Sequence, residues 1–292
     1  MRSDEQGGAG VRFEPEFTAR LERLVARVAL ARDVREGAGR RHVAGGGEEF
    51  VGHRPYRPGE DLRDLDWTLL ARLDRPFVRV RRREATQHWA IVLDASASMG
   101  VGQENRARSS KLQRAAEVAT GIAFSGLRAG ATSALFVAGD ALEVARLRKR
   151  GDLAAWVSFL EGRTARGARG ANACFADPRL AAAQRVFVIG DQLGYEPRAV
   201  LALARRRREV AVVQLLAPRE LAPRVDTGVE WFDPESGERL DLALDVATVD
   251  AYGRALETRL ESWRATCARH GVFHRCFSTA TAFEDVVRAV LA

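Results

Sequence analysis

Asp94, Ser96 and Ser98 spell D-A-S-A-S directly after five apolar residues, Trp89 to Leu93. A buried strand closing on an acid and two alternating hydroxyls offers three hard oxygen donors. Residues i and i+2 of an extended turn face the same way, so all three can aim at one spot. A second acid, Asp191, closes another apolar run, "RVFVIG". Two carboxylates with hydroxyls suit a small hard cation that keeps several waters, Mg²⁺ first, with Mn²⁺ or Ca²⁺ as substitutes. Buried together without a cation, the two acids would repel each other. The competing reading makes the serines turn or cap residues and Asp94 an acceptor for backbone amides.

For Asp94 and Asp191 to meet, their strands must end on the same rim of one sheet. From about residue 88 onward the chain alternates apolar runs with helical periodicity. The runs are 89–93, "TSALFVAGD", "ALEVARL", "RVFVIGD", "EVAVVQLLA" and "VFHRCF". Between them the spacing predicts helices over about 109–127, 151–161, 177–184, 197–207, 248–269 and 281–291, with a hairpin around Asp233–Gly237. Continuous apolar strands alternating with helices make an α/β fold, a mostly parallel sheet with helices on both faces. Ligands bind such sheets outside the C-terminal strand ends, where the strand order switches.

The first 87 residues read differently. Residues 1–15 are expected to be loose. Phe17 to about Val34 repeats Leu21, Leu24, Val25, Val28 and Ala31 at helical spacing. Glycines and turns follow, including a Pro58-Gly59 pair suited to a type II turn, and "PFVRVRRRE" alternates as a strand with one wet face. Trp67 is expected to anchor this arm in a core. The expected division is an N-terminal helix with a small β-rich arm over 1–87, then the α/β domain over 88–292.

Composition narrows the function classes. The chain has 292 residues, 46 basic and 39 acidic, for a net charge of +7. Lys111 and Lys149 are the two lysines, leaving 44 arginines spread through every segment. That spread is an arginine bias and not a patterned stripe, so no nucleic-acid partner is expected. No apolar run approaches the ~18–20 residues that span a bilayer. The start lacks a signal-like apolar core, and three cysteines without a CxxC read as reduced thiols. A cytoplasmic protein that does not engage a membrane is the expectation. His270 and His274 straddle a helix end and a strand start, so they do not share a face, and a structural role is expected.

The D-A-S-A-S string after a buried strand resembles the metal-ion-dependent adhesion site of von Willebrand factor type A domains. The wider chain resembles domain-of-unknown-function family 58. It does so through "EFVGHRPYRPGEDLRDLDWTLLARLDRPFVRVRRRE", "IVLDASASMG", "KLQRAAEVA", "VFVIGDQLG", "LLAPREL" and "FDPESGERLDL". The resemblance implies a type A-like, Rossmann-like sheet and protein binding through a divalent metal at Asp94, Ser96, Ser98 and Asp191. It also implies pairing with AAA+ ATPases of the MoxR type, and it carries no enzymatic activity. One departure stands out: Ala171 falls where the adhesion site has a threonine, with Asn172 beside it and Thr164 more distant. Weak metal affinity is therefore expected, and a metal-free scaffold with a degenerate site is the alternative. A haloacid-dehalogenase-like phosphatase is a further alternative. That chemistry needs an acid/base Asp two residues after the nucleophile, where this chain has Ser96, and a lysine for the phosphate.

Overall fold

The computed structural model describes residues 10–36, 49–57, 60–82, 86–101, 110–204, 208–223, 225, 230–235, 237–241 and 245–292. In chain order the elements are α1 (Phe17–Glu36), β1 (Glu49–Pro55), α2 (Trp67–Leu73), β2 (Phe77–Arg82), β3 (His88–Asp94), α3 (Lys111–Arg128), β4 (Thr132–Ala138), β5 (Leu142–Leu147) and α4 (Leu153–Leu160). Then come β6 (Arg185–Gly190), α5 (Arg198–Leu201), β7 (Glu209–Leu216), α6 (Pro218–Leu221), β8 (Glu230–Phe232), β9 (Arg239–Asp241), α7 (Val246–Arg269), β10 (Phe273–Ser278) and α8 (Phe283–Leu291). They form two compact units, residues 1–41 with 87–292, and residues 42–86.

The larger unit is built on a six-stranded sheet of order β10-β7-β6-β3-β4-β5, parallel throughout except for β5 at one edge. Taken in chain order within this sheet, the strands run 3-2-1-4-5-6, and the order reverses between β3 and β6. The two-residue period of the strands divides the core cleanly. Trp89, Ile91 and Leu93 of β3, with Phe187 and Ile189 of β6, pack on the face covered by α1, α3, α4 and α8. Ala90 and Val92, with Val186 and Val188, face the other way, toward Leu180, Val200, Trp263 and Cys267.

Two expectations about the chain's beginning are corrected. The helix α1, expected to belong with the arm, packs in the larger unit against α3 and α8, because Phe17, Leu21, Leu24 and Val25 need a core and find one there. The segment before it is not loose over 10–15. The Val11 amide donates to the Arg163 carbonyl at 2.8 Å, and the Gly162 amide returns the bond to Val11 at 2.9 Å. The Gln113 side chain brackets Arg12 through its amide and carbonyl, at 2.9 and 2.8 Å. A Cβ at Gly10 would lie 2.7 Å from the Gly162 carbonyl oxygen, so the strap needs glycine there.

The smaller unit pairs β1 with β2 antiparallel, with a register shift at Gly52, and sets the short helix α2 beside them. Asp66 caps α2 through the amides of Thr68 and Leu69, and its other oxygen meets His53 Nε2 at 2.8 Å. Leu65 and Val78 are buried, but Trp67 is 61% exposed, which corrects its expected core role. It follows the capping Asp66 on the first turn of a two-turn helix, and Leu62 and Leu73 are exposed as well. The Pro58-Gly59 turn lies outside the described residues. In the larger unit, the helix expected over 197–207 is, among the described residues, the single turn α5, with 205–207 outside them, and that over 177–184 is a 3₁₀ segment, Pro178–Ala182.

Candidate functional site

Asp94 is the last residue of β3, and Asp191 follows the last residue of β6, so both stand at the rim where the strand order reverses. They are 2% exposed each. Leu93 of β3 is in register with Ile189 of β6, which places Gly190 beside Asp94. A Cβ on Gly190 would approach Asp94 Cβ to 2.6 Å, so the glycine is what lets the acid fit.

The turn after β3 folds onto Asp94. Its Oδ1 accepts from the Ser96 amide at 2.9 Å and from Ser96 Oγ at 2.6 Å. Ser96 Oγ and Ser98 Oγ are 3.2 Å apart. Asp94 Oδ2 accepts from the Ala171 amide at 3.0 Å. The glycine–arginine loop is tied to the same turn: Ala97 N donates to Gly167 O at 2.8 Å, and Arg166 N to Ala95 O at 2.9 Å. The position that lacks a threonine hydroxyl therefore contributes a backbone donor. The Asn172 side chain is exposed.

Burial raises the Asp94 carboxyl from its usual 3.8 to about 6; the Ser96 and Ala171 hydrogen bonds oppose the rise and the charge of Asp191 adds to it. Among the described residues no Lys or Arg nitrogen forms an ion pair with Asp94.

Asp191 has a cation of its own. The Lys111 ammonium, fully buried at the N-terminus of α3, lies 2.8 Å from Asp191 Oδ2 and 2.6 Å from Glu220 Oε1. Asp191 Oδ1 accepts from the Leu193 amide at 3.1 Å. Burial alone would lower the lysine's pKa, but Asp191 and Glu220 outweigh it and hold the ammonium charged. Asp94 closes β3 and meets the amide of Ala171, whereas Asp191, one residue past β6, meets Lys111 at the first position of α3. The strands thus bring the two acids to one rim, close enough for the Asp191 charge to act on Asp94, but give them different partners.

Sequence reasoning missed Lys111 and Glu220 as members of this rim. A signal existed: one of two lysines in an arginine-rich chain opens a helix, where the helix dipole disfavours a cation. Gln192 was missed too. It is fully buried with φ +58°, takes the Tyr195 hydroxyl on Oε1, and leaves its amide nitrogen without a hydrogen bond among the described residues. Arg259 of α7 holds this stretch through the carbonyls of Gln192, Leu193 and Tyr195, at 3.1, 2.8 and 2.9 Å.

The cysteines do not join the site. Burial pushes Cys174 up to about 12, and Cys267 and Cys276 to about 11, so all three are thiols at neutral pH. His274 stacks on Trp263, meets Gln214 at 3.0 Å, and is lowered by burial to about 4. Among the described residues no three acids, histidines or cysteines cluster as a metal group; the oxygen donors a hard cation could use are one carboxylate without a cationic partner and two hydroxyls 3.2 Å apart. Asp94 with Ser96 and Ser98 would hold it.

The family model described as "Protein of unknown function DUF58" matches residues 52–261. Uncharacterized proteins of Mycobacterium bovis (Mb1516) and Mycobacterium tuberculosis (Rv1480) are each 29% identical over 222 residues, covering 73% of this chain and 69% of theirs. The solved structure of a conserved hypothetical protein, BatB, from Bacteroides thetaiotaomicron matches at TM-score 0.44 and 16% identity, over 70% of this chain and 97% of that one. An aerotolerance-related membrane protein of Bacteroides fragilis matches at TM-score 0.40 and 14% identity, over 70% and 96%. An uncharacterized membrane-spanning protein of Vibrio fischeri matches at 0.22 and 16%, over 68% and 95%. The expectation of a cytoplasmic location is withdrawn; "membrane" stands in the descriptions of two of these neighbours and is said of them alone. Among the described residues no helix is long and apolar enough to cross a membrane.

Proposed function

The chain belongs to the DUF58 family, and we propose that it is a non-enzymatic protein-binding module whose rim holds a divalent cation. Asp94, Ser96 and Ser98 are the ligands, directly or through water, with Mg²⁺ as the cation. One coordination position stays open for a carboxylate of the partner, which we take to be an AAA+ ATPase of the MoxR type.

The observation that carries the reading is Asp94 itself. It is a buried carboxylate with three neutral donors, two hydroxyl oxygens in line and, among the described residues, no cationic partner. The strand order, and the position of Asp94 at its reversal, support a von Willebrand factor type A-like architecture. The ATPase partner is supported by the resemblance of the segment from Tyr56 to Trp67 to domain-of-unknown-function family 58 and the pairing with MoxR-type ATPases which that resemblance implies. A phosphatase reading gains a lysine at the rim, but both its carboxylate partners already engage it, and Ser96 still stands where an acid/base Asp is needed.

Calorimetry with Mg²⁺ and Mn²⁺ should give a binding heat for the wild type that Asp94→Ala abolishes. Equal heats for the two proteins would sink the reading. A partner captured from the source cell should then lose ten- to a hundredfold in affinity, about 1.4–2.8 kcal/mol, with chelator or with Asp94→Ala alike. A partner held equally well in chelator favours the second reading, a metal-free scaffold. The specific observation behind that reading is that Lys111 already supplies one positive charge to the rim.

A further inference from the structure

We propose that Lys111 is an internal competitor for Asp191, and that it sets the strength with which the rim holds a cation. The inference rests on the reading of a cation at Asp94 and goes one step past it, to the residue that controls affinity.

The Lys111 ammonium is completely withdrawn from solvent and bridges two carboxylates from different loops, Asp191 after β6 and Glu220 in α6. Both acids are fixed by other bonds as well. Asp191 Oδ1 takes the Leu193 amide at 3.1 Å, and Glu220 Oε2 takes the Ala217 amide at 2.6 Å. The Gln214 side-chain amide donates to the Asp191 carbonyl at 2.8 Å, and the Tyr252 hydroxyl to the Glu220 carbonyl at 2.9 Å. This is a preorganised cradle for one monovalent cation, and the lysine fills it.

A divalent cation that used Asp191 as a direct ligand would have to compete with the Leu193 amide for Oδ1, beside the ammonium on Oδ2, or displace the ammonium from Oδ2. Two like charges so close, screened from water, repel strongly. The cation is therefore held from the Asp94 side alone, and Asp191 acts on it only through space. A lysine at the first position of α3 opposes the helix dipole, and the two carboxylates offset that cost. Removing the charge frees Asp191 to turn toward the cation and complete a second acidic ligand.

The experiment is Mg²⁺ and Mn²⁺ calorimetry on the full chain and on Lys111→Met, Lys111→Gln, Asp191→Asn and the Lys111→Gln/Asp191→Asn double variant, with folding checked by circular dichroism. The lysine variants should bind at least tenfold more tightly, and the double variant should lose that gain. Asp191→Asn alone should weaken binding only a few-fold, against complete loss in Asp94→Ala. Lysine variants that bind as the wild type does would overturn the inference. So would an Asp191→Asn variant that loses as much as Asp94→Ala, and either result leaves the Asp94 cation standing. Should neither lysine variant fold, the Asp191→Asn comparison still decides. If no protein shows an Asp94-dependent heat, the proposed function falls and this inference with it.

Discussion

A chain that begins at residue 88 is expected to be insoluble or molten, and the cause is the loss of α1. Val11, Phe17, Leu21, Leu24 and Val25 are all buried in the core they share with α3 and α8. Phe17 lies 5.2 Å from Phe283, ring to ring, and Leu24 comes close to Gly121 of α3. Burying one large apolar side chain contributes roughly 1.5–3 kcal/mol. Five of them together rival the whole ~5–15 kcal/mol stability of an ordinary domain. The truncation also uncovers apolar surface on α3 and α8. Circular dichroism melting of residues 88–292 is the check, and a cooperative transition would show that the larger unit does not need the helix. A milder form tests the same point. Leu21→Ala should cost about 2–5 kcal/mol and lower Tm by roughly 5–15 °C for a chain of this size.

The second large effect concerns pH. The folded protein holds the Asp94 carboxyl at about 6 against a usual 3.8, chiefly through burial. A raised acid pKa means that the fold prefers the protonated form. The resulting penalty is absent below pH 3.8, grows between 3.8 and 6, and is complete above 6. At 1.36 kcal/mol per pH unit it is of order 3 kcal/mol at neutral pH. A cation at Asp94 removes the reason for the penalty. Saturating Mg²⁺ should therefore raise Tm strongly at pH 7.5 and hardly at all at pH 4.5, and Asp94→Ala should show neither effect. Melting curves over that range, with Mg²⁺ and with chelator, make the measurement. A Mg²⁺ response that is the same at both pH values would mean that Asp94 is not the group the cation meets.

The alternating strands and helices after residue 88 were legible because the central strands β3, β6 and β7 are buried on both sides. Such strands read as unbroken apolar runs, and their helices carry a 3.6-residue period. The hairpin at 233–237 was legible from its turn residues, and Gly237 does adopt φ +76°. The strand β1 was not legible, because "EFVGHRP" carries a bulge at Gly52 that breaks the alternation. Nor was α2, seven residues long with no buried side chain, since so short a helix leaves almost no periodic signal. Trp67 shows how residue type misleads there: a large aromatic suggests a core, yet it sits 61% exposed.

At the site, the sequence by itself determined the donors of the turn after β3. Asp94, Ser96 and Ser98 lie within five residues, so local backbone geometry alone brings their oxygens together. It also determined that Asp94 and Asp191 close two buried strands. Only the tertiary structure decided which way those acids point and what meets them. The register of β3 on β6 needs Gly190 beside Asp94, and Asp191, one residue past β6, reaches the first residue of α3. There an ammonium 80 residues away in sequence and a carboxylate 29 residues further on complete a buried triad. Charge pairing over such separations leaves no local pattern in the chain. It depends on where two loops and a helix end come to rest, and the packing of the two core faces sets that.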